Sequence, residues 1–357
     1  MTLTRPATGA SGATGPAPRP GTGRAVAAVV LVTLGALIPL LGPSAALHGT
    51  GEAAAPGVGG IALLRAVLFT ALSVPVGELF VRRLARSVPG APPAVPRAWA
   101  PYAAGAGLVA ALGLASVVAT GNLVPDSLAQ VDVGGLYASR DGKLALVEVN
   151  AFLVAGLCAV SARPATQVWP LAAVVVAEAL RAHPPTEHSP LIGSGLTLVH
   201  LTCAALWVGG LLYALRTLRQ WRRAADPGGA ASGVGDSSGA RDGGGPAAGA
   251  ALLGRYARVA LGLLAAITAT GVWSSLRRMP PGTVLDQLTT TAYGRALLAK
   301  VLLVAAVAAL ALWARRRLSR APDPLTAYAP ARAEVIALGL AVAVSGLLTA
   351  LPVPIRW

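Results

Sequence analysis

The chain has 357 residues, 55% of them hydrophobic and only 12% charged, with a mean hydropathy of +0.65. Soluble domains carry about 25% charged residues, so an ordinary soluble fold is excluded. The net charge of +15 does not mark a nucleic-acid binder, because the basic residues fall in clusters between apolar runs. Cytoplasmic loops of membrane proteins show that pattern.

Residues 1–23, rich in Gly, Pro, Thr and Ala, read as a disordered tail. Nine apolar spans follow, at roughly 25–47, 60–82, 99–121, 144–162, 166–182, 191–215, 252–276, 293–314 and 332–352. The predicted fold is therefore an all-α, polytopic membrane bundle of about nine transmembrane helices. Arg24, the apolar run after it and Ser44-Ala45-Ala46 also fit a signal peptide; the run exceeds a usual h-region and is read as a retained helix. About five spans make an N-terminal region over 24–190. A second region, 191–357, is interrupted at 224–250 by a Gly-, Ala- and Ser-rich stretch read as a flexible cytoplasmic linker, with a reach of about 30 Å.

Orientation follows from the arginines. Arg82, Arg83 and Arg86, then Arg216, Arg219, Arg222 and Arg223, then Arg315, Arg316, Arg317 and Arg320 are placed on the inner side. The expected placement is a multi-pass protein of a bacterial cytoplasmic membrane, with its N-terminus cytoplasmic. Cys158 and Cys203 both lie in apolar runs, so no disulfide framework is read. Neither a phosphate-binding G-x-x-x-x-G-K-[ST] loop, nor H-E-x-x-H, nor a G-x-S-x-G elbow occurs, and no enzymatic activity is expected.

This topology puts all four histidines on the outer side. His48 lies in the first outer loop, His183 and His188 before the sixth span, and His200 within that span. An ionisable side chain inside the membrane is costly and marks a functional-site hypothesis. Cys203, three residues on, shares a helix face with His200, and imidazole with thiolate suits copper. The alternatives are a histidine hydrogen-bonded to a neighbouring helix and a cysteine that serves as a small buried hydrophobe. His183 and His188, with Glu187 between them, could capture Cu(II) or Zn(II) at the outer mouth or form a plain polar loop. Met279, at the outer end of the seventh span, offers a thioether for Cu(I). Lys300 lies seven residues into the eighth span, where a lysine costs about 2.5–3.5 kcal/mol, and Glu148 and Glu178 are its expected carboxylate partners. Arg295 lies nearer the outer surface on the same helix. Trp207 falls mid-span, away from the interfacial belt of the other tryptophans, and Gly209 and Gly210 read as a close-packing point or a bend.

Three segments together resemble the copper resistance D family of membrane domains. They are VHLTCAALWVGGLLYALRTLR (199–219); RYARVALGLLAAITATGVWSSL (255–276) with TTTAYGRALLAKVLLVAAVAALALWARRRL (289–318); and RAEVIALGLAVAVSGLLTALPVP (332–354). The family pattern matches at His200, Trp207, Gly209, Gly210, Tyr256, Gly271, Tyr293, Gly294, Arg295, Lys300 and Glu334. Where members often carry a Gly-His-Ala element, this chain has Arg181-Ala182-His183-Pro184-Pro185. The resemblance implies copper handling, usually described as uptake across the cytoplasmic membrane. The expected cargo is a copper ion, moved inward and held by His183, His188, His200, Cys203 and Met279. Expected partners are the lipid bilayer and a periplasmic or extracytoplasmic copper-binding protein. Two other readings stand beside it: a non-transporting partner that delivers copper to a cuproenzyme or carrier, and a haem-binding membrane oxidoreductase subunit.

Overall fold

The computed structural model describes residues 22–53, 55–121, 124, 127, 130–187, 189–225, 244–279, 281–320 and 328–352. Among them every regular element is helical. In chain order these are α1 (Thr22–Leu47), α2 (Val58–Arg86), α3 (Ala100–Ala119), α4 (Val133–Ala138), α5 (Arg140–Val160), α6 (Val168–Arg181), α7 (Pro190–Ala225), α8 (Gly244–Arg278), α9 (Val284–Thr290), α10 (Ala292–Arg320) and α11 (Tyr328–Ala350). The disordered tail expected over 1–23 lies outside the described residues as far as residue 21, and α1 begins at Thr22.

Small residues let this bundle close, as expected where lipid supplies no hydrophobic drive between helices. Helix α2 is the centre, packed against α1, α3, α7 and α11. Gly77 of α2 and Gly209 of α7 meet backbone to backbone, and a Cβ on either would overlap its neighbour. On α11, a Cβ at Gly346 would come within 2.6 Å of the Ala62 carbonyl. Helices α8 and α10 are peripheral; only 11% of each apolar window is buried, which leaves their outer faces for lipid.

Among the described residues eight helices, rather than nine, are long and apolar enough to cross a membrane. The shortfall is α6. A 3-10 turn over Pro164–Gln167 precedes it and Pro184-Pro185 follows, which leaves 14 helical residues. At 1.5 Å per residue that is about 21 Å, short of a hydrocarbon core of about 30 Å. It nonetheless runs back beside α5. Arg140, at the start of α5, donates to the Leu180 carbonyl near the end of α6 at 2.7 Å, so α6 returns to the level at which α5 began.

The expected linker at 224–250 is also too long. Helix α7 continues to Ala225 and α8 starts at Gly244. Alanine-rich sequence favours helix there, and Ala248 and Leu252 are buried in the same apolar cluster as Leu218 of α7. Residues 226–243 lie outside the described residues.

The bundle has two chemically distinct ends. At one, Arg82 donates to the Tyr213 hydroxyl at 2.9 Å, the Trp221 indole donates to the Ala94 carbonyl at 3.0 Å, and Arg216 stacks 3.5 Å over the Trp99 ring. Glu78 pairs with Arg82 at 2.6 Å and accepts from the Trp99 and Ala100 amides, so one carboxylate also caps α3. At the other end lie His48, His183 and the start of α7. There Arg295 donates to the His48 carbonyl at 2.6 Å and to Ala46 at 3.3 Å, which ties α10 to the close of α1.

Candidate functional site

A cavity of about 220 Å³ lies among α2, α7, α8, α10 and α11, toward the histidine end. His200 of α7 faces into it, as do Trp207 one face further along, Arg278 from the last turn of α8, and Tyr293 and Lys300 of α10. His200 Nδ1 lies 3.0 Å from Thr270 Oγ1. Thr270 has one proton, and it donates that proton to the Ala266 carbonyl at 2.7 Å. With that proton engaged on its own helix, the hydroxyl oxygen can accept from Nδ1–H, the tautomer that leaves the lone pair on Nε2. The Gly271 Cα lies against the ring edge, and a Cβ there would stand 3.7 Å from His200 Cε1. A histidine held to the neighbouring helix through Nδ1, on a residue that lines a cavity, is an arrangement a metal ligand can use.

The charges around it are all of one sign. Lys300 and Arg278 line the same cavity as His200. Arg278 donates to the Tyr293 hydroxyl at 3.1 Å. The carboxylate partner expected for Lys300 is not there. Glu178 is paired with Arg65 at 2.6 Å and Arg181 at 2.9 Å, and Glu148 is paired with Arg181. These two arginines sit on α2 and α6, beside α5, and they consume both acids before Lys300 can reach them. Among the described residues no acidic side chain pairs with Lys300 or Arg278.

The other sequence-derived candidates do not converge on His200. His183 is buried, its Nδ1 2.6 Å from Glu187 Oε2 and its Nε2 2.9 Å from Thr197 Oγ1. Both nitrogens thus hold the α6–α7 connection, and the ring rests against Gly193. Glu187 also reaches Arg277 at 3.6 Å. His188 lies outside the described residues. Cys203 does not line the cavity and packs against the cluster of Trp207, Leu252 and Tyr256. Met279 is fully buried and likewise off the cavity. No group of three or more His, Cys, Asp or Glu that could hold a metal occurs among the described residues.

Trp207 lines the cavity, and Gly209 and Gly210 follow it on α7 at close contacts with neighbouring helices. The Trp207 carbonyl accepts from the Tyr256 hydroxyl at 2.7 Å. Its indole nitrogen is buried without a hydrogen bond of normal geometry, and the Glu334 carboxyl of α11 is the acid that reaches toward it. Gly209 admits the Ser73 carbonyl of α2, and Gly210 admits the rings of Phe80 and Tyr256.

Residues 250–351 match the sequence model of the family described as Copper resistance protein D. This part of the chain, the copper resistance D-like region, is similar to that family. It contributes Thr270, Arg278, Tyr293 and Lys300, while His200 comes from the helix before it. No curated protein and no solved structure matches the chain. A multi-span membrane protein of copper-resistance type is the coarse description that the helices and this match support together.

Sequence reasoning missed Thr270 and Arg278. Neither has a local signal: Thr270 is one of many hydroxyls in apolar helices, and Arg278 reads as an interfacial arginine. Only the pairing of α7 with α8, and the placing of α10 across the cavity, brings them to His200 and Lys300.

Proposed function

We propose that this chain takes up copper at His200 and moves it across the cytoplasmic membrane, inward. The observation that carries the reading is the place of His200, its Nδ1 3.0 Å from Thr270 Oγ1, on a cavity walled largely by the copper resistance D-like region. Copper here is cargo. One imidazole is a weak site alone, which suits an ion that must leave as well as bind. Cys203 and Met279 would stay outside this site, and His183 would serve the loop rather than the ion.

With no nucleotide-binding loop in the sequence, the membrane potential is the natural drive, at about 2.3 kcal/mol per charge per 100 mV. The basic groups oppose a bare cation. Two like charges about 4 Å apart repel by about 4 kcal/mol at an effective dielectric of 20. Copper would therefore reach His200 with compensating negative ligands.

The test is cellular copper at fixed external copper, in cells expressing the wild type, His200→Ala or an empty vector at equal membrane abundance. A rise with wild type that His200→Ala abolishes is the expected result. A fall would mean efflux, and no change would favour a non-transporting partner that delivers copper on the outer face.

A further inference from the structure

We propose that the cavity is an anion site, in which Lys300, Arg278 and Tyr293 hold a carboxylate- or phosphate-type group beside His200. Its link to copper rests on the reading above, since the same anion would supply the ligands and the negative charge that one imidazole lacks. The anion site itself rests on geometry alone.

Two cationic side chains project into one cavity of about 220 Å³. Charge held within a membrane-spanning bundle is expensive unless paired, and neither group is fully exposed. Among the described residues no carboxylate forms an ion pair with either group. Glu148 and Glu178 belong to Arg65 and Arg181, Glu187 to His183 and Arg277, and Glu334 stands toward Trp207, off the cavity lining. The hydroxyls are committed as well: Ser275, Ser345 and Thr349 donate to carbonyls of their own helices at 2.8, 2.7 and 2.9 Å. The Tyr293 hydroxyl is different. It accepts from Arg278, so its own proton is free to point into the cavity. The donors left over include an ammonium, a guanidinium, a phenol and the Trp207 indole N–H, a set that suits an oxyanion and repels a bare cation.

Helix α8 packs on α7 and α10 packs on α11, with little contact between α8 and α10 themselves. The anionic group can thus come from a soluble molecule or from a lipid headgroup entering between these helices.

The full chain is reconstituted in phosphatidylcholine nanodiscs with copper chelated, and acetate and inorganic phosphate are titrated by calorimetry. A parallel arm compares thermal unfolding in phosphatidylcholine with that in discs containing phosphatidylglycerol. Saturable binding of either soluble anion, weakened about tenfold or more by Lys300→Met and by Arg278→Gln and retained by Lys300→Arg, supports the site. So does stabilisation by phosphatidylglycerol that Lys300→Met loses and Lys300→Arg keeps, which would assign the anion to lipid. Absence of both effects in the wild type overturns the inference, as does any anion effect that these substitutions leave unchanged. Because copper is absent throughout, anion binding without a copper response in cells would sink the transport reading alone. A copper response that needs His200, without anion binding, would sink only this inference.

Discussion

Two sets of basic groups lie inside this bundle, and they are treated in opposite ways. Beside α2, α5 and α6, Arg65 and Arg181 face Glu148 and Glu178 in a connected ion cluster. In the cavity bounded by α7, α8 and α10, Lys300 and Arg278 face His200 and Tyr293, with no acid among the described residues. The first cluster balances its own charge and can serve the fold. The second is incomplete without something from outside, and it is the one that the copper resistance D-like region builds. An intramembrane charge is thus informative mainly through what faces it.

The sharpest way to break this contrast is to remove one cation from each set. Arg181→Met leaves two buried carboxylates short of a partner and is expected to cost about 3–5 kcal/mol, read as a large drop in the unfolding midpoint in detergent. Lys300→Met, which strands no acid, is expected to stay within about 1 kcal/mol of wild type. Equal losses would mean that Lys300 is as structural as Arg181.

A second, smaller effect concerns the wall between the two sets. Gly209→Val drives a side chain into the Ser73 carbonyl and Gly77 of α2. It is expected to cost about 1–3 kcal/mol in the same unfolding assay, whereas Gly254→Ala, at a position with open space around it, is expected to cost nothing measurable.

Within the cavity, Thr270→Val removes the group that orients His200 without touching the ligand nitrogen. A loss of about 10–100-fold in copper affinity is expected, measured against a competing chelator, with Thr270→Ser restoring it. If valine and serine behave alike, Thr270 does not position the ring.

The smallest effect on the site is expected at His183. Its two hydrogen bonds hold the loop before α7, so His183→Ala is expected to lose about 1–2 kcal/mol of stability while cellular copper stays at the wild-type level. A copper phenotype equal to that of His200→Ala would return His183 to the ligand set.

The sequence by itself determined the class of fold, because about 20 apolar residues in a row can satisfy their backbone in lipid only as a helix. It also singled out His200, Trp207, Gly209 and Lys300, each a residue whose chemistry is out of place in an apolar run. It overcounted the spans at α6, since hydropathy does not register that prolines cut a helix to 14 residues. It also paired Lys300 with Glu148 and Glu178 from depth alone. Depth is a one-dimensional property, and it follows from position along a helix. Which side chains share a layer with a partner depends on which helices are neighbours and how each is rotated. The choice of Arg65 and Arg181 over Lys300, the seat of Nδ1 on Thr270, and the meeting of Arg278 with Tyr293 were decided there, by close packing of small residues that only the tertiary structure brings into contact.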